Sequence, residues 1–252
     1  MHDNAVILGA NAIEKRFAQV VALRGASYEL RRGEVHAIVG DNGAGKSTLI
    51  KIISGVYRQD AGTIELEGRE VTIDSPRAAR ELGIETVYQD LSLADELDAA
   101  SNLFLGREKL LPPPLSWFGF LDKGEMRART QEEVRRLKVG IPSVTQPVIN
   151  FSGGQRQSIA VARAIAWGRR IVIMDEPTAA LGVRESQMVL EMIKEIKEQG
   201  LSVIMISHNL PEVFLVADRI TVLRLGRTIA TLGTKDSSVE AVVGMMTGAL
   251  TA

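Results

Sequence analysis

One stretch, Gly40-Asp41-Asn42-Gly43-Ala44-Gly45-Lys46-Ser47, constrains this chain more than any other. It fits the pattern G-x-x-x-x-G-K-[ST] in full. A short apolar run, Val35 to Val39, precedes it, and a helix-like run, Gly45 to Ser54, overlaps its end. Glycines at this spacing let backbone N–H groups approach phosphate oxygens, and the helix that starts there adds its positive end. Lys46 supplies a point charge for the β- and γ-phosphates, Ser47 offers a hydroxyl to magnesium, and Thr48 follows in the same turn. The fold must therefore set a strand before this loop and a helix after it.

Other runs extend the strand side of that requirement. Ile84 to Tyr88, Ile171 to Met174 and Val203 to Ile206 are apolar and of strand length, as central strands covered on both faces should be. Strand-like and helix-like runs alternate, which predicts an α/β fold with a mainly parallel central sheet. Residues 4–30 read as short strands with turns, Val20-Val21-Ala22-Leu23 among them, and Ile220 to Leu225 and Thr228 to Leu232 as a pair near an edge. From about residue 90 to 167 the pattern turns mostly helical, apart from the loop Leu111-Pro112-Pro113-Pro114-Leu115. Lys123 to Lys138 alternates charges like a solvated helix face. These features predict a core of about 1–89 and 168–252 with an inserted helical subdomain of about 90–167. Trp117, Phe118 and Phe120 make residues 111–120 unusually apolar for a loop; packing within the helical subdomain is expected for them, with docking on a partner protein as the alternative.

Asp175 and Glu176 end the run Ile171-Val172-Ile173-Met174. A buried strand normally avoids unpaired carboxylates. Beside a phosphate-binding loop they have work to do: Asp175 is placed to hold magnesium, and Glu176 to polarise an attacking water. Ser152-Gly153-Gly154-Gln155, after Phe151, opens a helical run from Arg156 to Ala166 and offers a second anion site. By themselves, these residues would equally suit a glycine-rich helix cap.

In this order, the three motifs resemble the ATPase subunit of ABC transporters. The resemblance spans almost the whole chain and implies a P-loop NTPase of ABC type: a RecA-like core, an N-terminal antiparallel β subdomain and an inserted helical subdomain. It implies ATP and magnesium. The Ser152–Gln155 turn then covers the ATP held by a second chain. Gln89 resembles the glutamine that reaches magnesium and couples the subdomains, and His208 the histidine that contacts the γ-phosphate. Phe17 resembles the aromatic that stacks on adenine. Gly182, in Ala179-Ala180-Leu181-Gly182, stands where that family usually carries an Asp that sets geometry across the dimer. Asn102 to Glu108, Ser207 to Leu210 and Val216 to Arg219 look like the ATP-binding subunits of bacterial monosaccharide importers of the ribose, xylose and fructose class. That implies a permease, a periplasmic or extracellular sugar-binding protein and a place on the cytoplasmic face of the membrane. No internal repeat is present, so the partner half is expected from an identical chain.

Composition narrows the alternatives. The 252 residues carry a net charge of −1 and no cysteine, which argues against a nucleic-acid partner and rules out disulfides. No run approaches the ~20 apolar residues of a membrane span. The start, Met1-His2-Asp3-Asn4, is not that of a secretory signal. An importer subunit for an amino acid or peptide, a non-transport ABC protein, and a regulatory nucleotide-binding module remain open at this point.

Overall fold

The structure, a computed structural model, describes residues 5–137 and 140–250. Met1 to Asn4, read above for a signal, and Lys138, at the end of the charged run, lie outside those residues. β1 (Val6–Phe17) and β2 (Val20–Arg31) form an antiparallel hairpin of two twelve-residue strands, longer than the sequence suggests. Register shifts along the pair, one of them beside the left-handed Ala12, break the alternation that would have revealed them. β3 (Val35–Val39), α1 (Lys46–Ile53), β4 (Ala61–Leu66), β5 (Arg69–Glu70), α2 (Pro76–Glu81) and β6 (Ile84–Val87) follow. Next come α3 (Ala99–Leu103), α4 (Lys123–Arg136) and α5 (Gly153–Trp167). The chain closes with β7 (Ile171–Asp175), α6 (Val183–Glu198), β8 (Ser202–Ile206), α7 (Leu210–Val216), β9 (Arg219–Arg224), β10 (Arg227–Gly233) and α8 (Val239–Thr247).

Among the described residues the strands form two sheets. One is antiparallel in the order β2-β1-β4-β5, and the other runs β10-β9-β3-β8-β7-β6. In the second sheet β9, β3, β8, β7 and β6 are parallel and only β10 is reversed. The described residues of 90–167 give helices and two isolated bridges but no strand to either sheet.

Alternation along the buried strands decides what each face holds. Val172 and Met174 of β7 join the core under α5 and α6, whereas Ile171 and Ile173 join the core that contains Leu49, Ile50 and Ile53 of α1. The odd-numbered positions of β7 thus face α1, which puts Asp175 on the side of the phosphate-binding loop. Pairing then aligns the strand ends: Ile38 stands opposite Ile206, Ile206 opposite Asp175, and Met174 opposite Val87. Gly40, Gln89, Asp175, Glu176 and His208 all follow from the carboxyl ends of these parallel strands, the edge where open α/β sheets bind ligands.

The segment 111–120 differs from expectation. Trp117, Phe118 and Phe120 are 79%, 76% and 54% exposed, so they do not pack into the helical block. A bridge between Leu110 and Leu121 closes the segment into a hairpin whose tip projects from its base.

Candidate nucleotide-binding and hydrolysis site

The phosphate-binding loop is held by backbone packing that only glycine permits at two positions. Gly40 has φ 154°, and a Cβ there would overlap the Leu223 carbonyl of β9. Gly45 has φ 105°, and its Cβ would come 2.9 Å from the Ala22 carbonyl of β2. Two further bonds complete the seat: Ala44 N donates to Asp41 O at 3.0 Å, and Gly226 N to Ala44 O at 3.0 Å. Asp41, Asn42, Gly43 and Ser47 are exposed, and Thr48 is half-buried in the first turn of α1. The Lys46 ammonium donates to Gly40 O at 2.6 Å and Asp41 O at 3.1 Å, lying over its own loop.

The charges around Lys46 act on one another. Burial holds its ammonium below the usual lysine range, while Glu176, Asp41 and Asp175 pull the other way. Burial, and then the charge of Glu176, push the Asp175 carboxyl above its usual range, with Lys51 and Lys46 opposing. Gln89 is exposed in the turn after β6, and it lines an open cavity of about 700 Å³ with Asp175, Lys51 and Tyr88. A hydroxyl (Ser47), an amide (Gln89) and a carboxylate (Asp175) are hard oxygen donors of the kind that suits magnesium, and so small a set leaves coordination positions for phosphate oxygens.

Glu176 and His208 meet directly. His208 Nδ1 lies 2.8 Å from Glu176 Oε2, with Glu176 mostly buried and His208 largely open to solvent. Glu176 has φ 52°, a left-handed backbone that a side-chain-bearing residue rarely adopts. Its N–H donates to Ile206 O at 3.0 Å, and its carbonyl accepts from Ala179 N at 3.1 Å. Thr178 Oγ1 donates to Glu212 Oε2 at 2.5 Å, tying the segment after Glu176 to α7, which begins just after His208. A carboxylate that can take a proton, an imidazole beside it and a braced turn make a site fit to activate water.

Phe17 ends β1 opposite Val20, two residues before Ala22, whose carbonyl touches the Gly45 seat. Its ring is partly exposed and packs edge-to-face on Tyr57 at 5.0 Å between centroids. The second face for an anion lies elsewhere. Ser152 caps α5: its Oγ accepts from Gln155 N at 3.3 Å while Gln155 Oε1 accepts from Ser152 N at 3.0 Å. Gln155 Nε2 also donates to Gly140 O at 3.1 Å. Among the described residues no hydrogen bond or ion pair joins this turn to Gly40–Thr48 of the same chain. Its neighbours are Leu181 and Glu185 instead.

Sequence reasoning passed over two of these residues. Lys51 is four residues after Ser47 and so shares its helix face, a spacing that was there to be read. Glu185, in the first turn of α6, lies across two glycines: a Cβ on Gly154 would overlap its Cγ, and one on Gly182 would stand 2.6 Å from its Oε2. Gly182 caps α6 without a side-chain acceptor, and the carboxylate of Glu185 fills the space beside it. An Asp at 182 would therefore meet a like charge. Gly182→Asp is expected to destabilise the chain by about 1 kcal/mol while Glu185 is present. In a Glu185→Ala background the same change should stabilise it by up to about 1 kcal/mol, as a new N-cap acceptor. Urea unfolding of the parent chain and the three variants measures both signs.

Comparison with known proteins gives four likenesses. The family described as ABC transporter matches residues 23–179. The fructose import ATP-binding protein FrcA of Rhizobium meliloti is 49% identical over 245 residues, covering 96% of this chain and 94% of that protein. The xylose/arabinose import ATP-binding protein XylG of Sulfolobus acidocaldarius is 44% identical over 241 residues, with 96% and 94% covered. Among solved structures, an ATP-binding cassette of an ABC transporter in its ADP conformation superposes with TM-score 0.78 at 27% identity, covering 96% of this chain and 95% of that one.

Proposed function

This chain belongs to the ABC transporter family, and from that premise we propose that it hydrolyses ATP to power import of a monosaccharide through a separate membrane permease. The observation that carries the reading is the near full-length likeness to fructose and xylose/arabinose import ATP-binding proteins, together with the convergence of the motifs on one sheet edge. In this reading, Gly40 to Thr48 hold the phosphates and Phe17 faces the base. Ser47, Gln89 and Asp175 hold magnesium, which neutralises charge on the phosphates when bound. Glu176 takes the proton of the attacking water, and His208, with its Nδ1 2.8 Å from Glu176 Oε2, holds the carboxylate in place.

The site is incomplete within one chain, since Ser152–Gln155 lies apart from Lys46. A second copy, related by a two-fold axis, would bring its turn over this chain's ATP, so that two chains sandwich two nucleotides. The helical subdomain of residues 90–167 then moves with closure. The groove beside Glu85, Arg107, Arg163 and Trp167, between that block and the sheet edge, is where the permease would sense it. In this reading the chain sits on the cytoplasmic face of the membrane, with a sugar-binding protein on the far side.

Uptake tests the proposal. A strain lacking this gene should lose transport of one labelled sugar among fructose, xylose, arabinose and ribose, and the wild-type gene should restore it. Unchanged uptake of all four, with loss of amino-acid or peptide uptake, would transfer the chain to another class of importer.

A further inference from the structure

We propose that the hairpin Leu110–Leu121 is a lipid anchor whose aromatic tip enters the head-group region of a bilayer. The inference goes beyond ATP hydrolysis and draws on the function above only for bringing the chain to a membrane.

From Leu110 to Leu121 no side chain is ionisable, in a chain whose residues are 24% charged. The hairpin is built rather than loose. Leu111 N donates to Phe120 O at 2.9 Å, and Asp122 N to Lys109 O at 2.8 Å. Within the tip, Trp117 N donates to Pro114 O at 3.1 Å and Gly119 N to Ser116 O at 3.0 Å, around a single 3-10 turn, Leu115–Phe118. Three prolines bring no donor of their own. These bonds hold the tip's shape and satisfy part of its backbone, and the hydrated head-group region can hydrogen-bond the rest. Trp117, Phe118 and Phe120 stand free, with no ring–ring contact to one another among the described residues.

Two arguments favour lipid over protein as the occupant. First, the patch is small: its three aromatic side chains bury roughly 150–250 Å² each when fully covered, and with the exposed Leu115 they only approach the about 800 Å² per partner of a stable protein interface. Second, protein interfaces carry about one hydrogen bond per 100–200 Å², and this tip offers only the Ser116 hydroxyl and the Trp117 indole N–H as polar side-chain groups. A projecting tip of Trp, Phe and Leu matches the residues that settle at the membrane interface. Charge at the base does not decide the matter. Lys109 and Lys123 are matched along the chain by Glu108, Asp122 and Glu125; Lys109 lies 3.5 Å from Glu125, and Asp122 caps α4. Binding should therefore be apolar in origin and nearly independent of salt.

The test uses the full chain with phosphatidylcholine vesicles, alone and with added phosphatidylglycerol. Cosedimentation is expected with both. The triple variant Trp117→Ser, Phe118→Ser, Phe120→Ser should bind at least about tenfold more weakly, since burying one large apolar side chain is worth that much. Its melting temperature and ATPase rate should match the wild type, because all three side chains are exposed. The chain has two tryptophans, and Trp167 is held within the fold, its indole N–H donating to Leu103 O at 2.8 Å. Vesicles should shift wild-type emission to the blue, and Trp117→Phe should abolish the shift. No vesicle binding, binding unchanged in the triple variant, or salt-sensitive binding confined to anionic vesicles would each overturn the proposal. So would a triple variant that loses the permease in detergent while the wild type ignores vesicles, which would make the hairpin a protein-docking element. Loss of ATPase activity in the wild type would count against the hydrolytic reading alone and leave the vesicle result standing.

Discussion

Glu176→Gln is expected to slow ATP hydrolysis by about 10²–10⁴-fold, the range for loss of a general base, while ATP binding persists. The substitution keeps the size of the side chain and its place beside His208, whose Nδ1 lies 2.8 Å from Glu176 Oε2, but an amide cannot take a proton from water. It also leaves the phosphate seat intact, because Gly40, Gly45 and Lys46 are held by β2, β9 and their own loop rather than by Glu176. Single-turnover hydrolysis and nucleotide binding, measured on the same preparation, separate the two effects. A variant that turned over at the wild-type rate would remove Glu176 from the chemistry.

The second large effect concerns a pair of inactive chains. Lys46→Ala removes the cation over the proposed phosphate seat, and Gly154→Asp overlaps Glu185 and adds a negative charge to the Ser152–Gln155 turn. Each variant alone should be nearly inactive. Mixed, they should regain about a quarter of the wild-type rate: half of the dimers are hybrids, and each hybrid holds one complete site. The complete site joins Lys46 of the Gly154→Asp chain to the turn of the Lys46→Ala chain. If Ser152–Gln155 served the nucleotide of its own chain, no hybrid could work and mixing would restore nothing. Steady-state phosphate release over a titration of one variant into the other gives the answer.

Much of the site can be read without coordinates because its residues sit at strand ends. The motif Gly40–Ser47 and the acids Asp175 and Glu176 each follow a continuous apolar run, and parallel pairing does the rest. Gln89 and His208 follow strands too, but their weak local signals gain meaning only from neighbours far along the chain. What sequence could not supply lies in side-chain direction. Nothing in Val183-Arg184-Glu185 says that the Glu185 carboxylate turns back over Gly182 or that its stem covers Gly154 from another helix. The same holds for Trp117, Phe118 and Phe120. An apolar loop reads as buried, and only the bridge between Leu110 and Leu121 reveals a projecting hairpin. The long first hairpin is hidden for a different reason, since its register shifts erase the period of two.

The left-handed backbone at Glu176 has a consequence for how this position can vary. A side chain there costs about 1–2 kcal/mol relative to an ordinary conformation, and glycine would be free of that cost. Folding alone would favour glycine in place of Glu176, with asparagine as second choice. The chain keeps a residue that its own architecture penalises, and thermal stability and turnover pull in opposite directions at this one site. A library screened only for heat resistance would drift away from glutamate here and return a sturdier protein that binds ATP without consuming it.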